Sequence, residues 1–212
     1  MYNISYFKER DLAVIKSFMK ENSFAMLTGC DQNMQPVATQ VPLLLEEKAD
    51  KLFLYGHVQR KTDHHLALEK NPKVLVLFTG AHAYVSASLY TQKESASTWN
   101  YMTVHARGII RFLDDTALLS ILSKTTAHFE NNIHSPSLVE KMPVEYVEKM
   151  MKAIVGFEIE ITGIDNVFKL SQNRDQESYD TIIPHLKQQG ADPTKVAEEM
   201  EKRRLQLFNK QP

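Results

Sequence analysis

Residues 78–108 constrain the fold of this 212-residue chain more than any other stretch. Within them, 81–88 alternates apolar with polar residues, which is the period-two pattern of a β-strand with two different faces. The polar face carries His82, Tyr84, Ser86 and Ser88. An imidazole, a phenol and hydroxyls suit a flat hydrogen-bonding ligand, whereas a solvated strand face usually carries charges. The stretch continues with further aromatic and polar side chains, namely Trp99, Asn100, Tyr101 and His105.

A second stretch, 56–72, has the composition of an anion site. Arg60, Lys61 and Thr62 stand between a predicted strand end and a predicted helix start. Backbone N–H groups and the helix dipole favour an anion there, and two cations with a hydroxyl can complete a phosphate site. The stretch has no glycine-rich loop, so on its own it is only a weak signal for a phosphate site. The signal becomes more specific next to the hairpin predicted at 78–108, whose side chains suit a planar ring.

A third stretch, 169–174, reads KLSQNR and offers two cations and two amides. Lys169, Gln172 and Asn173 can meet the carbonyls and nitrogens at the edge of a flavin ring. Each of the three stretches also has a structural alternative. The hairpin can be an aromatic core whose polar atoms satisfy one another, 60–62 can be a solvated loop, and 169–174 can cap the following helix.

The remaining pattern predicts an antiparallel sheet with peripheral helices. Strands are expected at 24–29, 36–46, 51–58, 73–79, 101–112, 154–161 and 167–170. Short turns join the first three strands into a meander, because a parallel βαβ unit needs a longer crossover. Helices are expected at 12–22, 62–70, 115–130, 143–153, 179–189 and 193–209. Their N-caps are expected at Asp11, at Asp114 or Asp115, and at Asp192.

The composition excludes several classes of protein. A formal net charge of −1 lacks the basic footprint of most nucleic-acid-binding proteins. Adjacent His64 and His65 point apart on a helix, so no metal site is predicted, and no serine lies in a nucleophile-elbow pattern. The single cysteine, Cys30, fits a reducing compartment. Without a secretory signal or a membrane-spanning run, the chain is expected to be cytoplasmic.

The chain resembles the PaiB family, described as FMN-binding-like negative transcriptional regulators, in six segments: VPLLL at 41–45, GH at 56–57, FTGAHAYVSASLY at 78–90, TWNYMTVHARG at 98–108, IVGFEIEI at 154–161 and KLSQNR at 169–174. The resemblance implies an α+β split β-barrel of the flavin-reductase and pyridoxine-phosphate-oxidase type. It also implies a homodimer with flavin sites at the subunit interface. We therefore expect a barrel domain over 1–174. A C-terminal helical extension over 175–212 is expected to pack on the barrel or on a partner subunit.

The resemblance implies FMN as the cofactor, with its phosphate at Arg60, Lys61 and Thr62, which match the family's strand-to-helix passage by position. The expected binding residues in the other two stretches are His82, Tyr84, Ser86, Trp99, Asn100, His105, Lys169, Gln172 and Asn173. Heme is the alternative planar ligand, because related split barrels handle it and a histidine can serve as its axial ligand. The chain departs from the family pattern at Ala81 and Leu89, where members usually have proline and tryptophan.

Two classes of activity stay open from the sequence. In a flavin-dependent reductase or oxidase, the cofactor transfers electrons and the protein positions it. In a regulator, the chain senses flavin or redox state and acts on transcription. The resemblance alone implies the regulator, and with it DNA as a partner, because no helix-turn-helix is recognisable.

The last predicted helix, 193–209, is where we expect a nucleic-acid or partner contact. Its glutamates dilute its positive charge and favour a solvated face of mixed charge over a DNA-binding one. Its cations are Lys195, Lys202, Arg203, Arg204 and Lys210.

Overall fold

The structure is a computed structural model that describes residues 1–208, and the chain divides into two compact units. The first unit contains Met1–Phe18, Thr79–Val104 and the described residues from Asp165 onward. The second unit contains Met19–Phe78 and His105–Ile164. The expected helix end at Asn209 and the cation Lys210 lie outside the described residues.

The described part of the chain contains seven strands: β1 (Phe24–Cys30), β2 (Pro36–Pro42), β3 (Leu44–Lys48), β4 (Lys51–Gln59), β5 (Lys73–Val85), β6 (Thr98–Phe112) and β7 (Ile154–Lys169). All seven contribute to the second unit, where they form one sheet in the order β2-β1-β5-β6-β7-β4-β3. Antiparallel pairs join β1 to β2 and β5, and join β4 to β3 and β7. The predicted antiparallel sheet is therefore confirmed.

Among residues 1–208, six α-helices accompany the sheet: α1 (Leu12–Glu21), α2 (Asp63–Lys70), α3 (Asp115–Glu130), α4 (Val144–Met151), α5 (Gln176–Leu186) and α6 (Ala191–Phe208). Side-chain oxygens start several of them by accepting from first-turn N–H groups, which have no partner within the helix. Asp11 accepts from Ala13, and Asp114 accepts from Ala117, each at 2.8 Å. The expected caps at Asp11 and Asp114 are confirmed, but Asp192 lies inside α6.

The expected three-strand meander is wrong at 36–46, which forms two strands. The chain leaves its pairing with β1 after Pro42, which has no N–H to donate. The N–H of Leu43 bonds instead to the Ser23 carbonyl oxygen at 2.9 Å. From Leu44 onward the chain pairs with β4, at the opposite edge of the sheet from β2. The sequence alternates through both strands, so its periodicity does not show the break.

Strands β5 and β7 each join two stretches that the sequence predicts as separate strands. Alternation along β5 holds for His82 and Tyr84, which are both exposed. It is wrong for Ser86 and Ser88, because a short 3₁₀ helix at Ala87–Leu89 follows the strand. The strand therefore ends at Val85, three residues before the expected end at Ser88.

Each unit has its own core. In the second unit, alternate strand residues are buried, among them Ala25, Leu27, Leu54, Val76, Ile110, Phe157 and Ile159. The helix α2 buries Ala67 and Leu68, whereas Leu66 on its other face is 50% exposed. In the first unit, Tyr179 of α5 is fully buried, and its hydroxyl donates to the Met200 carbonyl of α6 at 2.9 Å.

The helices of residues 175–208 belong to the first unit, and the expected domain boundary at 174 stays a prediction. Across residues 1–208, no helix has both the length and the apolar character needed to cross a bilayer.

Replacing Gly108 with alanine should destabilise the protein. A Cβ at this position in β6 would lie 2.5 Å from Ile159 Cγ2 and 2.6 Å from the carbonyl oxygen of Glu160. Because that oxygen belongs to the backbone, the strands have to shift, and overpacking of this kind costs about 1–3 kcal/mol. Urea unfolding would show a lower midpoint with an unchanged slope. Gly163→Ala is the matched control, since no atom lies within 4 Å of its Cβ position. An equal loss in both variants would contradict the packing argument.

Candidate functional site

Three exposed aromatic rings of the first unit lie next to one another and are here called the aromatic surface: His82, Tyr84 and Trp99. Alternate positions of β5 supply the first two rings, and the start of β6 supplies the third. The centroid of the Trp99 ring lies 5.8 Å from each of the other two centroids. Its plane is inclined by 42° to the imidazole and by 68° to the phenol ring. Because Tyr84 and Trp99 are about half exposed, the surface offers ring faces to a planar molecule.

The aromatic surface also meets α6 within the first unit. The Nδ1 atom of His82 lies 3.6 Å from Oδ2 of Asp192, in the first turn of that helix. This pair becomes an ion pair when the imidazole is protonated. No local pattern in the sequence places Asp192 beside His82, because only the tertiary fold brings the two residues together.

The Lys169 side chain lies in the interior of the first unit and bonds to the backbone of the aromatic surface. It is only 8% exposed, and its Nζ donates to the Trp99 carbonyl oxygen at 2.8 Å and to Thr98 Oγ1. The rings of Tyr2 and Phe7 lie over the ammonium group, with centroids at 5.5 and 5.9 Å. Burial lowers the pKa of Lys169. This side chain therefore holds the backbone of Trp99 instead of facing solvent.

Asn100 is fully buried and belongs to a hydrogen-bonded network. Its Nδ2 donates to Ser171 Oγ at 2.9 Å and lies 3.7 Å from Met200 Sδ. The hydroxyl of Ser171 donates back to Oδ1 of Asn100 at 3.2 Å. Ser171 has a left-handed backbone with φ of 63°, which costs energy in a residue other than glycine, so the network stabilises a strained loop.

The other predicted polar residues of the first unit have mostly local partners. Oε1 of Gln172 accepts from the Leu170 N–H at 2.7 Å, and its Nε2 donates to the Phe168 carbonyl oxygen at 2.5 Å. The hydroxyl of Ser86 accepts from the Ser88 N–H at 3.2 Å. The remaining amide, Asn173, is exposed.

The helix after the KLSQNR stretch has its own cap. The Asp175 carboxylate accepts from the N–H and the hydroxyl of Ser178, at 2.9 and 2.7 Å. These bonds lower the pKa of Asp175 to about 2. Asp175 is therefore the cap of α5, and the residues at 169–174 do not serve in that role.

The second unit holds the expected anion-binding segment between β4 and α2. Thr62 is the N-cap of α2, because its Oγ1 accepts from the His65 N–H at 3.4 Å. The same hydroxyl donates to the Gln59 carbonyl oxygen at 3.0 Å. Lys61 is exposed and has a left-handed backbone with φ of 63°. Arg60 is half-buried. All three residues therefore stand at the positive end of the α2 dipole, as expected.

Charges of both signs surround this segment. The guanidinium of Arg60 donates to Asp115 Oδ1 at 3.1 Å. The Asp63 carboxylate accepts from the His64 N–H at 2.7 Å, and this bond lowers its pKa. Within residues 1–208, no ion pair of Lys61 is found. The segment can therefore receive an exposed phosphate through the Lys61 ammonium group, the Arg60 guanidinium and the N-terminus of α2. The carboxylates of Asp63 and Asp115 reduce the net positive charge around it.

Two histidines of the second unit remain. His105, the last predicted site residue, is half-buried in β6. The Nδ1 atom of His57 is buried and has no hydrogen-bond partner in the described part of the chain. Burial lowers the pKa of His57, so its imidazole is neutral at pH 7. No group of three or more His, Cys, Asp or Glu side chains among residues 1–208 is placed to hold a metal.

Comparison with known proteins gives a family match. A domain family described as "Putative FMN-binding domain" matches residues 1–163. The protease synthase and sporulation protein PAI 2 of Bacillus subtilis (strain 168) is 34% identical over 202 residues. That alignment covers 95% of this chain and 97% of the Bacillus protein.

Two solved structures share the fold. The FAD and heme binding protein from Mycobacterium smegmatis superposes with a TM-score of 0.56 at 14% identity, over 77% of this chain and 73% of the other. The flavocytochrome Anf3 from Azotobacter vinelandii gives 0.55 at 16% identity, over 79% and 72%. These likenesses confirm the predicted α+β split-barrel class of the antiparallel sheet.

Replacing Lys169 with methionine should change how stability depends on pH. Burial places the folded-state pKa of Lys169 below its ordinary value of 10.5, so as the pH rises the folded chain loses this proton before the unfolded chain does. The unfolded chain then binds more protons, and the wild-type free energy of unfolding rises with pH in the window just below 10.5. Lys169→Met lacks this contribution.

Urea unfolding of both proteins at several pH values in that window measures the difference between them. Lys93→Met, at an exposed loop position, is the matched control and should follow the wild type. If wild type, Lys169→Met and Lys93→Met all show the same slope with pH, the buried ammonium group is not responsible.

Proposed function

Because this chain belongs to the PaiB family, we propose that it is an FMN-binding protein with a regulatory role in transcription. The observation that carries the proposal is the match of residues 1–163 to a domain family described by FMN binding. FMN, when bound, supplies one- and two-electron transfer. The described residues contribute binding surfaces for the phosphate and for a planar ring.

We propose the segment 60–62 as the phosphate anchor. The α2 dipole and its N-terminal end favour an anion, and Lys61 adds an exposed ammonium group that forms no ion pair with a carboxylate of the described residues. Arg60 can share its guanidinium between Asp115 and a phosphate, because it has five donors. The hydroxyl of Thr62 already caps the helix, so its first role is to hold the end of α2 in place.

We propose the aromatic surface of the first unit as the contact for a planar ring. Tyr84 and Trp99 expose enough apolar area to gain from stacking, and His82 adds a polar edge. Lys169 and Asn100 act as positioning residues, since their hydrogen bonds hold the start of β6 and the loop after β7. The exposed amide of Asn173 and the half-buried His105 stay predicted contacts, as do Ser86 and Gln172.

Heme is the second candidate ligand of the aromatic surface. The side chain of His82 is 60% exposed and lies beside Trp99, so an axial ligand and a stacking ring occur together. One protein that shares this fold is named for binding both FAD and heme. A Soret band that appears with hemin and disappears in His82→Ala would favour heme. A Soret band unchanged in that variant would remove His82 as the ligand.

The regulatory and enzymatic versions of the proposal differ in one inexpensive assay. An oxidoreductase consumes NAD(P)H in the presence of FMN, whereas a flavin-sensing regulator does not turn over. Initial rates measured against a heat-denatured sample distinguish the two. We expect no NAD(P)H consumption above that of the heat-denatured control. Sustained turnover would contradict the regulator and favour a flavin-dependent enzyme.

Direct DNA contact by α6 receives little support from its charges. Arg203 donates to Glu9 at 3.1 Å, and Arg204 donates twice to Asp180, each time at 2.5 Å. These pairs neutralise both guanidinium groups, so they leave little free positive potential for phosphates. We therefore propose that any regulatory contact of α6 is made with a protein partner. A mobility shift with the full chain that weakens steeply with salt would contradict this.

We also propose that the chain forms a homodimer through the second unit. One face of its sheet carries apolar side chains that are not fully covered: Met26 and Leu77 are half-buried register partners, and Phe24 is 63% exposed. On β6, Ile109 is 37% exposed beside the buried Ile110. A second copy would remove this apolar area from water.

Removing the phosphate anchor should weaken FMN binding. Lys61→Ala/Thr62→Ala removes the charge-assisted hydrogen bond of the ammonium group and the N-cap that holds the start of α2 in place, which predicts a reduction of about 2–4 kcal/mol in binding free energy. Quenching of FMN fluorescence in a titration with the apo protein measures the dissociation constant.

The control for this double variant is Lys70→Ala, at the opposite end of α2. It removes one exposed lysine from the same helix and should leave the affinity for FMN unchanged. Equal affinity of wild type, double variant and control would contradict the placement of the phosphate. Absence of quenching by wild type at about 100 μM, where even weak sites fill, would contradict flavin binding itself.

Introducing a charge at Phe24 should disrupt the homodimer. Burial of one phenylalanine contributes about 1.5–3 kcal/mol, so Phe24→Asp should raise the dimer dissociation constant at least about tenfold. Sedimentation equilibrium measures this change. Met34→Asp is the matched control, because Met34 is 71% exposed but lies in the turn after β1. A monomeric wild type at micromolar concentration would contradict the dimer.

A further inference from the structure

A groove in the second unit is not used by the proposed flavin function. It lies between α3, α4 and the short 3₁₀ helix Val139–Lys141, and it encloses about 870 Å³. Sites for small molecules usually measure about 300–1,000 Å³. The groove is therefore large enough for a ligand of its own.

The floor of the groove is apolar. Leu119 of α3 and Val147 and Met151 of α4 line it, together with Val139 and Met142. No residue of α4 is buried, although the helix carries several large apolar side chains, so their surface stays available to a ligand. Methionine side chains adapt to ligands of different shape. This floor suits a compact apolar group such as an aromatic ring.

The rim of the groove is predominantly acidic. Its charged side chains are Asp115, Glu140, Glu148 and Lys152. The Ser123 hydroxyl donates to Glu140 and lowers the pKa of that carboxyl, so Glu140 is ionised at pH 7. Glu148 makes no hydrogen bond or ion pair with any described residue. Asp115 is already paired with Arg60, which leaves Glu140 and Glu148 to receive a cation.

We propose that this groove binds an organic cation, with its apolar body on the floor and its protonated amine at Glu140 and Glu148. These two carboxylates form no ion pair with a cation of the described residues, so they favour an added cation and repel an anion of the same shape. The apolar floor supplies the affinity that a surface ion pair alone does not give. The site is distinct in chemistry from the segment 60–62, which is proposed for an anionic phosphate.

Isothermal titration of the full chain, without FMN, tests this proposal with three probes that share one ring system. They are 1-naphthylmethylamine, a cation at pH 7, the neutral 1-naphthylmethanol, and the anion 1-naphthoate. We expect saturable binding of the amine, roughly tenfold tighter than that of the alcohol, as one charge-assisted contact would give. The anion should bind more weakly than the alcohol.

Three glutamine variants locate the binding site. Glu140→Gln and Glu148→Gln should each weaken binding of the amine about 3–10-fold and leave that of the alcohol unchanged. Glu145→Gln is the matched control, since it removes an exposed carboxylate of α4 that does not line the groove. All three positions are exposed, so the substitutions do not disturb the core.

Several outcomes would overturn the proposal. Equal affinity for the three probes would show that charge does not select the ligand. Equal loss in Glu145→Gln and Glu148→Gln would show a general effect of surface charge. A second copy of the chain is the other possible occupant of the groove. In that case binding of the amine would fall as the protein concentration rises, which would also contradict a small-molecule site.

Discussion

The second unit depends on a close approach at Gly56. A Cβ there would lie 2.9 Å from Phe157 Cζ, 3.0 Å from Leu43 Cδ2 and 3.1 Å from the Pro42 carbonyl oxygen. Only glycine leaves room for the chain to pass from β2 to β3, that is, from one edge of the sheet to the other. The crossing lets β3 pair with β4, and β4 ends directly before Arg60. The position of the proposed phosphate anchor thus follows from this crossing.

The hydrogen bonds that hold residues 60–62 in place are compatible with the phosphate anchor proposed there. Thr62 caps α2, the Arg60 N–H donates to the Ala153 carbonyl at 2.9 Å, and the Lys61 N–H donates to Nδ1 of His65 at 3.1 Å. These bonds use the Thr62 hydroxyl and two backbone groups but leave the ammonium group of Lys61 in solvent. A phosphate would therefore meet a preformed loop and would not need to order it, which reduces the entropy lost on binding.

Local signals in the sequence predicted much of this structure. Helix caps, strand alternation and the outward direction of His82 and Tyr84 depend on neighbours in the chain, so they could be predicted. The break at Leu43 could not, because it depends on the distant Gly56 and Phe157. The same holds for the Asn100 network, the ammonium group of Lys169 beneath Trp99 and the pair of His82 with Asp192. Each of these joins segments far apart in the chain, and periodicity carries no information about them.

We propose above all that this chain binds FMN with the phosphate at the start of α2. Amide chemical shifts of the ¹⁵N-labelled apo protein, titrated separately with FMN and with riboflavin, test it most directly, because riboflavin lacks only the phosphate. We expect saturable shifts with FMN at the amides of residues 61–65 and much smaller shifts there with riboflavin. Equal shifts from both ligands at these amides, or no saturable shift with FMN anywhere in the spectrum, would contradict it.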